Sequence, residues 1–482
     1  MINILIGLLR MKLVAVLLGP AGVGLLGFYQ NLIQMAALAS ALGITSSGTR
    51  QIAAARAEGS EAAVDRTRRA LLWATLVLAL AGAALFWLAS SWIARNLLNA
   101  PELESQVAWL SLGVALTVAS GSQSALLAGL RRVGDLARVQ VGSGVLGAAF
   151  GVLALWLWGA QGLLVMILAA PAVAFALGHF YVSRIDPPAG PRTPFPEVTR
   201  EWRALVRLGL AFMVSGLVTA LGHLAVRTLV QREMGADALG QFHAAWTIGM
   251  TYLGFVLGAM AADYYPRLTG AINDHAAAVQ LVNEQTEVAL LLCAPVLLVL
   301  LGLAPWVIQL LYSAEFAPAV EILRWQLLGD ILKVMSWPLG FIILASGAGK
   351  TFVATETLGI GVFVLGVFIG LPLIGVVATG VAFLALYAVH LPLVWWLGGR
   401  MIGFRWTRAV RWQAVMVIGA AAVVELACRQ SDVAGATAGG LLGSAAAVWA
   451  VLRLSERAEA TGRLGRIGRI VTTVQAWKAK RT

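Results

Sequence analysis

Cationic side chains interrupt the apolar segments of this chain, and such side chains need a chemical reason. Arg10 and Lys12 lie inside the first long apolar run, and Arg227 lies inside a later one. An arginine at the centre of a membrane-spanning helix costs about 2.5–3.5 kcal/mol on insertion scales, so these groups should face an aqueous cavity or pair with acids. Several cations together can replace the water shell of a diphosphate, and arginine binds phosphate bidentately. The pattern predicts a cavity for an anionic group.

Further polar residues extend this candidate cavity along neighbouring apolar segments. Arg50 and Arg267 stand at the predicted inner ends of two segments, and Asp263 precedes Arg267 by one helical turn. Asn31 and Gln34 lie on the second segment, where they could hydrogen-bond sugar hydroxyls or join neighbouring helices. Together these side chains suit a substrate that is anionic and rich in hydroxyl groups.

Acidic residues inside the apolar segments have two interpretations. Asp330 and Lys333 are three residues apart and could neutralise each other on one helix. Asp263 and Glu356 could couple transport to protons or Na⁺, or they could offset arginine charge. Coupling to such an ion is the only cofactor requirement that we consider.

Two glycine-rich motifs suggest nucleotide binding but lack its sequence context. Gly142 to Gly147 fits GxGxxG, yet it lies inside an apolar segment with no preceding strand. Ser346 to Thr351 resembles the end of a P-loop, but Leu344 occupies the position of the required earlier glycine. The histidines show no catalytic spacing, and His223 and His243 are candidates only for proton coupling. We therefore expect a protein that is not an enzyme.

Composition indicates which elements must position these residues. The chain has 482 residues, of which 60% are hydrophobic and 12% charged, and its mean hydropathy is +0.84. Its two cysteines, Cys293 and Cys428, have no disulfide or metal-site spacing. Apolar stretches recur along the chain, and the length of a bilayer-spanning helix predicts an all-α polytopic membrane protein with about fourteen spans. The predicted spans are 2–18, 22–48, 71–94, 106–130, 137–158, 161–183, 204–230, 239–268, 285–312, 319–346, 353–370, 374–397, 409–427 and 434–453.

The distribution of basic residues predicts the orientation. With the N-terminus in the cytoplasm, the predicted inner loops and tail hold 27 of the 35 Lys and Arg residues, and the outer loops hold 3. This asymmetry follows the positive-inside rule and places both termini in the cytoplasm. It also accounts for the formal net charge of +12 without a nucleic-acid partner.

The segment "LLGPAGVGLLGFYQ", Leu17 to Gln30, joins the first two predicted spans. Gly19 and Pro20 should end the first span and let the second begin almost at once. The later glycines, Gly24 among them, either permit close helix packing or act as a hinge. This segment is predicted to be a tight turn on the outer side of the membrane.

An internal repeat relates this hairpin to a second one. Four pairs of glycine or arginine residues recur with an offset of 216 or 217: Gly19 and Gly235, Gly24 and Gly240, Arg10 and Arg227, and Arg50 and Arg267. An even number of spans in each copy makes the two copies enter the membrane in the same direction, as in transporters built from parallel repeats. Such proteins place their substrate between the halves.

The repeat predicts a domain organisation with two pseudo-symmetric lobes of six helices. Residues 1–200 form the N-lobe and residues 201–400 form the C-lobe. Residues 401–454 add two further spans. Residues 455–482 form a basic tail, in which apolar residues at helical spacing favour an amphipathic helix on the anionic inner leaflet; an ordinary solvated tail is the alternative.

Several of these runs carry a family resemblance. The opening "KLVAVLLGPAGVGLLGFYQNLIQ", the run "SALLAGLRRVGDLA" and the run "LLYSAEFAPAVEILRWQLLGDILKVMSWPLGFIILASGAGKT" resemble O-antigen translocases. These are Wzx-type flippases of the polysaccharide-transport branch of the MOP superfamily, whose fold is similar to that of MATE transporters. The resemblance spans about residues 10 to 400, across both repeats.

The resemblance implies a flippase of the bacterial inner membrane. Its substrate would be an undecaprenyl-diphosphate-linked oligosaccharide, an O-antigen or related repeat unit, moved from the cytoplasmic to the periplasmic leaflet by alternating access. By position it assigns the cationic cavity to Arg10, Lys12, Arg50, Arg227, Asp263 and Arg267. Its protein partners would be a polysaccharide polymerase and a chain-length regulator.

Three alternatives to this function stay open at the level of sequence. A cation-coupled multidrug exporter of the same superfamily would need an acidic cavity, which the excess of arginine and lysine disfavours. A peptidoglycan lipid flippase is consistent with fourteen spans. A scaffold for a glycan polymerase would have no transport activity of its own.

Overall fold

The computed structural model describes residues 2–57, 61–185 and 195–460, and in this part of the chain it contains helices and no strand. The thirteen α-helices are α1 (Ile2–Ala41), α2 (Ile44–Ala57), α3 (Glu61–Asn96), α4 (Glu104–Gly129), α5 (Val133–Trp158), α6 (Gly162–Ser183), α7 (Phe195–Ala271), α8 (His275–Leu311), α9 (Ala319–Ala345), α10 (Gly349–Ile374), α11 (Ala378–Ile402), α12 (Arg408–Gln430) and α13 (Asp432–Ala460). Four short 3₁₀ turns lie between them.

Membrane-spanning segments account for most of this length. Within the described ranges, ten stretches are long and apolar enough to cross a bilayer. Four of them contain a break, so they resolve into fourteen helical segments in total. Helices suit this environment because every backbone donor and acceptor is satisfied inside the helix. The prediction of an all-α polytopic membrane protein is confirmed.

Both predicted hairpins coincide with a break in a long helix. In α1 the helical path is interrupted at Gly19, whose φ is 63° and ψ is −167°. In α7 it is interrupted at Gly235, whose φ is 84° and ψ is −178°. Positive φ favours glycine because a Cβ atom would be strained there. Pro20 follows directly, and its fixed φ and missing N–H suit the first turn of a new helix segment.

Other turns repeat at the same offset of 216 residues. Gly159, which ends α5, and Gly375, which ends α10, both have positive φ, and each begins a 3₁₀ turn. Arg131 and Gly347 both have positive φ, and their amide nitrogens donate to the carbonyl oxygen three residues earlier, at 2.9 and 3.0 Å. At these positions the two halves of the sequence therefore form equivalent turns.

The chain packs as two compact units. The first comprises residues 1–244, 309–318 and 363–379, and the second comprises residues 245–308, 319–362 and 380–482. These units follow packing rather than the repeat, and the boundaries predicted at residues 200, 400 and 454 stay predictions. The tail predicted for residues 455–482 begins within α13, and residues 461–482 lie outside the described ranges.

The first unit has an apolar core at one end of its helices. Ile52 of α2, Leu71 of α3 and Leu126 of α4 are buried together there. The helix in the second predicted span, 22–48, ends earlier than predicted. It stops at Ala41, and the next two residues have positive φ. The chain then begins the separate helix α2, which carries Arg50.

The second unit contains both helices that follow the repeat. A Cβ atom on Gly439 of α13 would lie 2.9 Å from the Cα atom of Gly302 of α8, so α13 packs closely against α8. Small residues permit such approach between membrane helices. A second core surrounds Tyr264, whose hydroxyl donates to the Pro338 carbonyl oxygen at 3.0 Å.

Candidate functional site

The second parts of α1 and α7 cross in direct contact within the first unit. A Cβ atom on Gly24 would lie 2.6 Å from the Ala236 carbonyl oxygen and 2.7 Å from the Gly240 amide nitrogen. A Cβ atom on Gly240 would overlap the Pro20 carbonyl oxygen. Ala236 and Gly240 are the repeat counterparts of Pro20 and Gly24, so the contact is reciprocal. This region is called the glycine crossing below.

A cationic cluster lies next to the glycine crossing, one turn further along α7. His243 is 8% exposed, and its imidazole packs directly on Gly27, where a Cβ atom would overlap it. Arg227 lies beside this imidazole, since its guanidinium is 5.5 Å from the ring of the adjacent Phe242, and Arg10 is within electrostatic range of it. The structure therefore brings together two of the predicted arginines, and it adds a histidine that sequence reasoning had considered only for proton coupling. Arg10 and Arg227, with the imidazole of His243 beside them, are called the cationic cluster.

Arg227 is held firmly within this cluster. It is 5% exposed, its Nη1 donates to the His223 carbonyl oxygen at 3.5 Å, and its guanidinium lies 5.5 Å from the centre of the Phe242 ring. An aromatic face attracts a cation without neutralising it.

Arg10 has a free donor in the same cluster. Its side chain is half-buried, and its Nε has no hydrogen-bond partner among the residues that the structure describes. A buried unsatisfied donor costs free energy, and the cost is larger for a charged group. An anion bound beside Arg10 would remove that cost.

Lys12 has a different environment from the one predicted. Its Nζ donates to the Gln309 carbonyl oxygen at 3.0 Å and also to the Tyr312 carbonyl oxygen. Gln309 lies in the last turn of α8 and Tyr312 follows the helix directly. The last carbonyls of a helix lack partners within it, and a cation is favourable there. Lys12 thus fastens the first segment of α1 to that helix end.

The remaining candidates of the first unit are less enclosed. Asn31 is half-buried, and its Oδ1 accepts no hydrogen bond from any described part of the chain. Gln34 is exposed on α1, and Arg50 is exposed on α2. Among the described residues, none of these three side chains forms a hydrogen bond or ion pair with the cationic cluster.

Asp263 and Arg267 pair with each other in the second unit. The Arg267 Nη1 lies 3.0 Å from the Asp263 Oδ2, and both side chains are more than half exposed. An exposed pair of this kind contributes about 0–1 kcal/mol to stability. Their charges therefore cancel locally.

Asp330 and Lys333 do not form the ion pair that their spacing allows. Asp330 is fully buried, and neither carboxylate oxygen has a hydrogen-bond partner within the described ranges. The Lys333 Nζ instead lies 3.1 Å from the Met250 Sδ and 5.8 Å from the centre of the Tyr387 ring. The spacing therefore does not bring the two side chains into contact here.

Lys333 and Glu356 line a cavity of about 230 Å³ in the second unit, which is called the polar cavity below. The Glu356 Oε1 lies 3.7 Å from the His390 Nε2. Sequence reasoning missed His390 and Tyr387, because both lie on α11 and nothing in their spacing relates them to α9 or α10. The lining residues are Lys333, Ser336, Trp337, Gly340, Phe341, Leu344, Phe352, Glu356, Tyr387 and His390.

The sequence is similar to one protein family and to two named flippases. Residues 1–271 match the model of the family described as "Polysaccharide biosynthesis protein". The lipid III flippase of Escherichia coli (strain K12) is 24% identical over 404 residues, which cover 80% of this chain and 92% of the relative. The lipid III flippase of Shigella flexneri matches with the same identity and coverage.

Comparison with solved structures supports the fold. The lipid II flippase MurJ in an inward closed conformation aligns with a TM-score of 0.69 at 12% identity, covering 94% of this chain and 97% of that one. An inward-facing multidrug resistance MATE family transporter of the MOP superfamily aligns with a TM-score of 0.67 at 18% identity, covering 85% and 95%. At these identities the likeness is one of fold.

Proposed function

Because the chain belongs to the polysaccharide biosynthesis protein family, we propose that it is a flippase for a lipid-linked oligosaccharide. The substrate is an undecaprenyl-diphosphate-linked O-antigen or related surface polysaccharide repeat unit, moved from the cytoplasmic to the periplasmic leaflet of the inner membrane. The lipid III flippases of two bacteria support this class of substrate. The predicted distribution of basic residues supports cytoplasmic termini.

The cationic cluster is the observation that carries the proposal. A diphosphate that crosses a bilayer loses its water shell, and the loss must be offset by fixed positive groups. Arg10 offers an Nε that has no hydrogen-bond partner among the described residues, and Arg227 is a buried cation beside the Phe242 ring. An arginine guanidinium can donate two parallel hydrogen bonds to phosphate oxygens. The cluster therefore suits the diphosphate of the lipid.

Alternating access is the mechanism that we propose for the transfer. The cationic cluster opens to the cytoplasmic leaflet first, binds the diphosphate, and then opens to the periplasmic leaflet while the polyprenyl chain stays in lipid. Gly19 and Gly235 interrupt the helices next to the glycine crossing, and hinges are commonly such element-terminal residues. Asp330 is the candidate for coupling to protons or Na⁺, because it is a fully buried carboxylate.

A cation-coupled multidrug exporter is the second candidate. The likeness to MATE transporters and the buried carboxylate of Asp330 favour it. The arginines of the cationic cluster disfavour it, because they would repel a cationic drug. A peptidoglycan lipid flippase is an alternative of the same chemical class, since its substrate also carries a diphosphate.

Deletion of the gene tests these candidates together. We expect the deletion strain to lose a surface polysaccharide and to accumulate its lipid-linked repeat unit, whose analysis names the glycan. Complementation with the full chain should restore export. Accumulation of the peptidoglycan precursor, or sensitivity to drugs with normal surface polysaccharide, would instead identify one of the alternatives.

A further inference from the structure

The polar cavity of the second unit combines charged and aromatic side chains that no step proposed so far requires. It lies between α9, α10 and α11, and its lining includes one cation, one carboxylate and one imidazole. All three are costly to place in a membrane-spanning unit. Because all three line one cavity, we expect its ligand to be polar.

The polar groups of this cavity offer both donors and acceptors. The Lys333 ammonium is a donor only, and the Glu356 carboxylate is an acceptor only when ionised. The Nδ1 of His390 has no hydrogen-bond partner in the part of the chain that the structure describes. A ligand that satisfies all three must itself carry donors and acceptors, as the hydroxyl groups of a sugar do.

Aromatic rings form the apolar wall of the same cavity. The ring centres of Trp337 and Phe341 are 4.8 Å apart. The Tyr387 ring meets the His390 ring edge-on, with their centres 6.0 Å apart. Such rings are rigid and present apolar faces, against which the C–H face of a pyranose ring can pack. Mostly apolar walls with a few placed polar groups are the usual composition of a small-molecule site.

The size and charge of the cavity narrow the class of ligand. Its volume of about 230 Å³ is below the roughly 300–1,000 Å³ of sites for drug-sized ligands, so it suits a single ring. Lys333 would repel a metal ion, and the described residues contain no group of three His, Cys, Asp or Glu side chains that could hold one. Because Lys333 and Glu356 carry opposite charges, a neutral sugar fits best.

We infer that the polar cavity is a subsite for one sugar residue of the transported glycan. This inference rests on the proposed function, and it separates recognition of the sugar in the second unit from recognition of the diphosphate at the cationic cluster. Lys333, Glu356 and His390 hydrogen-bond the hydroxyl groups, and the aromatic wall packs on the ring.

Two substitutions test the subsite through different physical effects. Glu356→Gln removes the charged acceptor without changing the size of the side chain. Gly340→Leu fills the cavity, and it should fold because a Cβ atom on Gly340 meets nothing within 4 Å. Glu321→Gln and Gly361→Leu are matched controls: Glu321 is exposed, and Gly361 is exposed with open space at its Cβ.

The measurement compares two lipids on the purified full-length protein. The probes are undecaprenyl diphosphate and the lipid-linked oligosaccharide isolated from the deletion strain. A hydrogen bond to a charged group contributes about 1.5–3 kcal/mol, so Glu356→Gln should weaken binding of the oligosaccharide lipid about tenfold or more. Gly340→Leu should do the same. Binding of undecaprenyl diphosphate should stay as in the wild type, and both controls should bind both lipids normally.

Three results would overturn the inference, and they are distinguishable. If the two variants bind the oligosaccharide lipid normally, or lose both lipids equally, the cavity does not hold the sugar. If Glu356→Gln stops transport while binding of both lipids is unchanged, Glu356 serves ion coupling instead. If the wild type binds neither lipid, the proposed function itself fails.

Discussion

Gly24 and Gly240, which are 216 residues apart, lie against each other where two helices of the first unit cross. A Cβ atom on Gly24 would lie 2.7 Å from the Gly240 amide nitrogen. We expect Gly24→Ala to destabilise the protein by about 1–3 kcal/mol, because backbone cannot yield to the added atom as a flexible side chain could. The melting temperature of the purified protein measures this effect. Gly254→Ala is the control, since its Cβ meets nothing within 4 Å; equal melting temperatures for the two variants would contradict the contact.

Arg227 should be essential for export but not for folding. Arg227→Ala removes a buried cation from the cationic cluster, and we expect export of the glycan to fall at least tenfold at normal protein level, because a charge-assisted bidentate contact with phosphate is lost. Arg227→Lys should recover only part of the activity, since lysine keeps the charge but lacks the planar fork. Surface glycan per molecule of protein is the readout.

Arg400 provides the matched control for that experiment. It is exposed, and it lies over the Trp396 ring at 4.3 Å on α11. Arg400→Ala should leave export unchanged. Normal export by an Arg10→Ala, Arg227→Ala double variant would refute the role of the cationic cluster.

Lys12 should act on stability rather than on substrate. Its ammonium donates to two backbone carbonyls at the end of α8, and we expect Lys12→Met to cost about 1–2 kcal/mol, because those acceptors lose a charged partner. Thermal unfolding and the rate of transport per folded molecule separate the two roles. If Lys12→Met is stable but inactive, Lys12 acts on the substrate, as its position in the sequence predicted.

Substitutions at Gly235 test the effect of backbone conformation apart from that of a steric clash. Its φ is 84°, and a Cβ atom there meets nothing within 4 Å, so a substitution suffers strain but no clash. We expect Gly235→Val to be destabilised by about 1–2 kcal/mol and Gly235→Asn by less, since asparagine tolerates positive φ better than a β-branched residue. Unfolding of both variants checks the order. The reverse order would show that the side chain, and not the φ angle, is limiting.

Much of the fold was predictable because membrane helices are determined by local composition. The all-helical architecture followed from hydropathy, and the resemblance carried by motifs such as that around Gly19 is confirmed as far as the polysaccharide biosynthesis protein family. Both hairpin glycines, Gly19 and Gly235, do break their helices, since glycine followed by proline or a small residue is a local signal. The structure adds equivalent turns at the same offset, such as those at Gly159 and Gly375, which the sequence analysis did not predict.

The candidate site was less predictable because its contacts join distant parts of the chain. Nothing in the sequence indicates that Lys12 reaches carbonyls about 300 residues later, or that Glu356 meets His390 of another helix. Asp330 and Lys333 have the spacing of an ion pair, yet the Lys333 ammonium lies against Met250 and Tyr387 instead. The charge pattern of the sequence indicates which side chains need a partner. The partners themselves depend on how the helices pack.

Reconstitution tests the central claim most directly. The purified protein is reconstituted in liposomes that contain a fluorescently labelled lipid-linked oligosaccharide. The fraction of this lipid that becomes accessible on the opposite leaflet is followed with time. We predict transfer by the wild type, at least tenfold slower transfer by Arg227→Ala, and wild-type transfer by Arg400→Ala. Transfer at the same rate in liposomes with wild type, with Arg227→Ala and without protein would contradict the account.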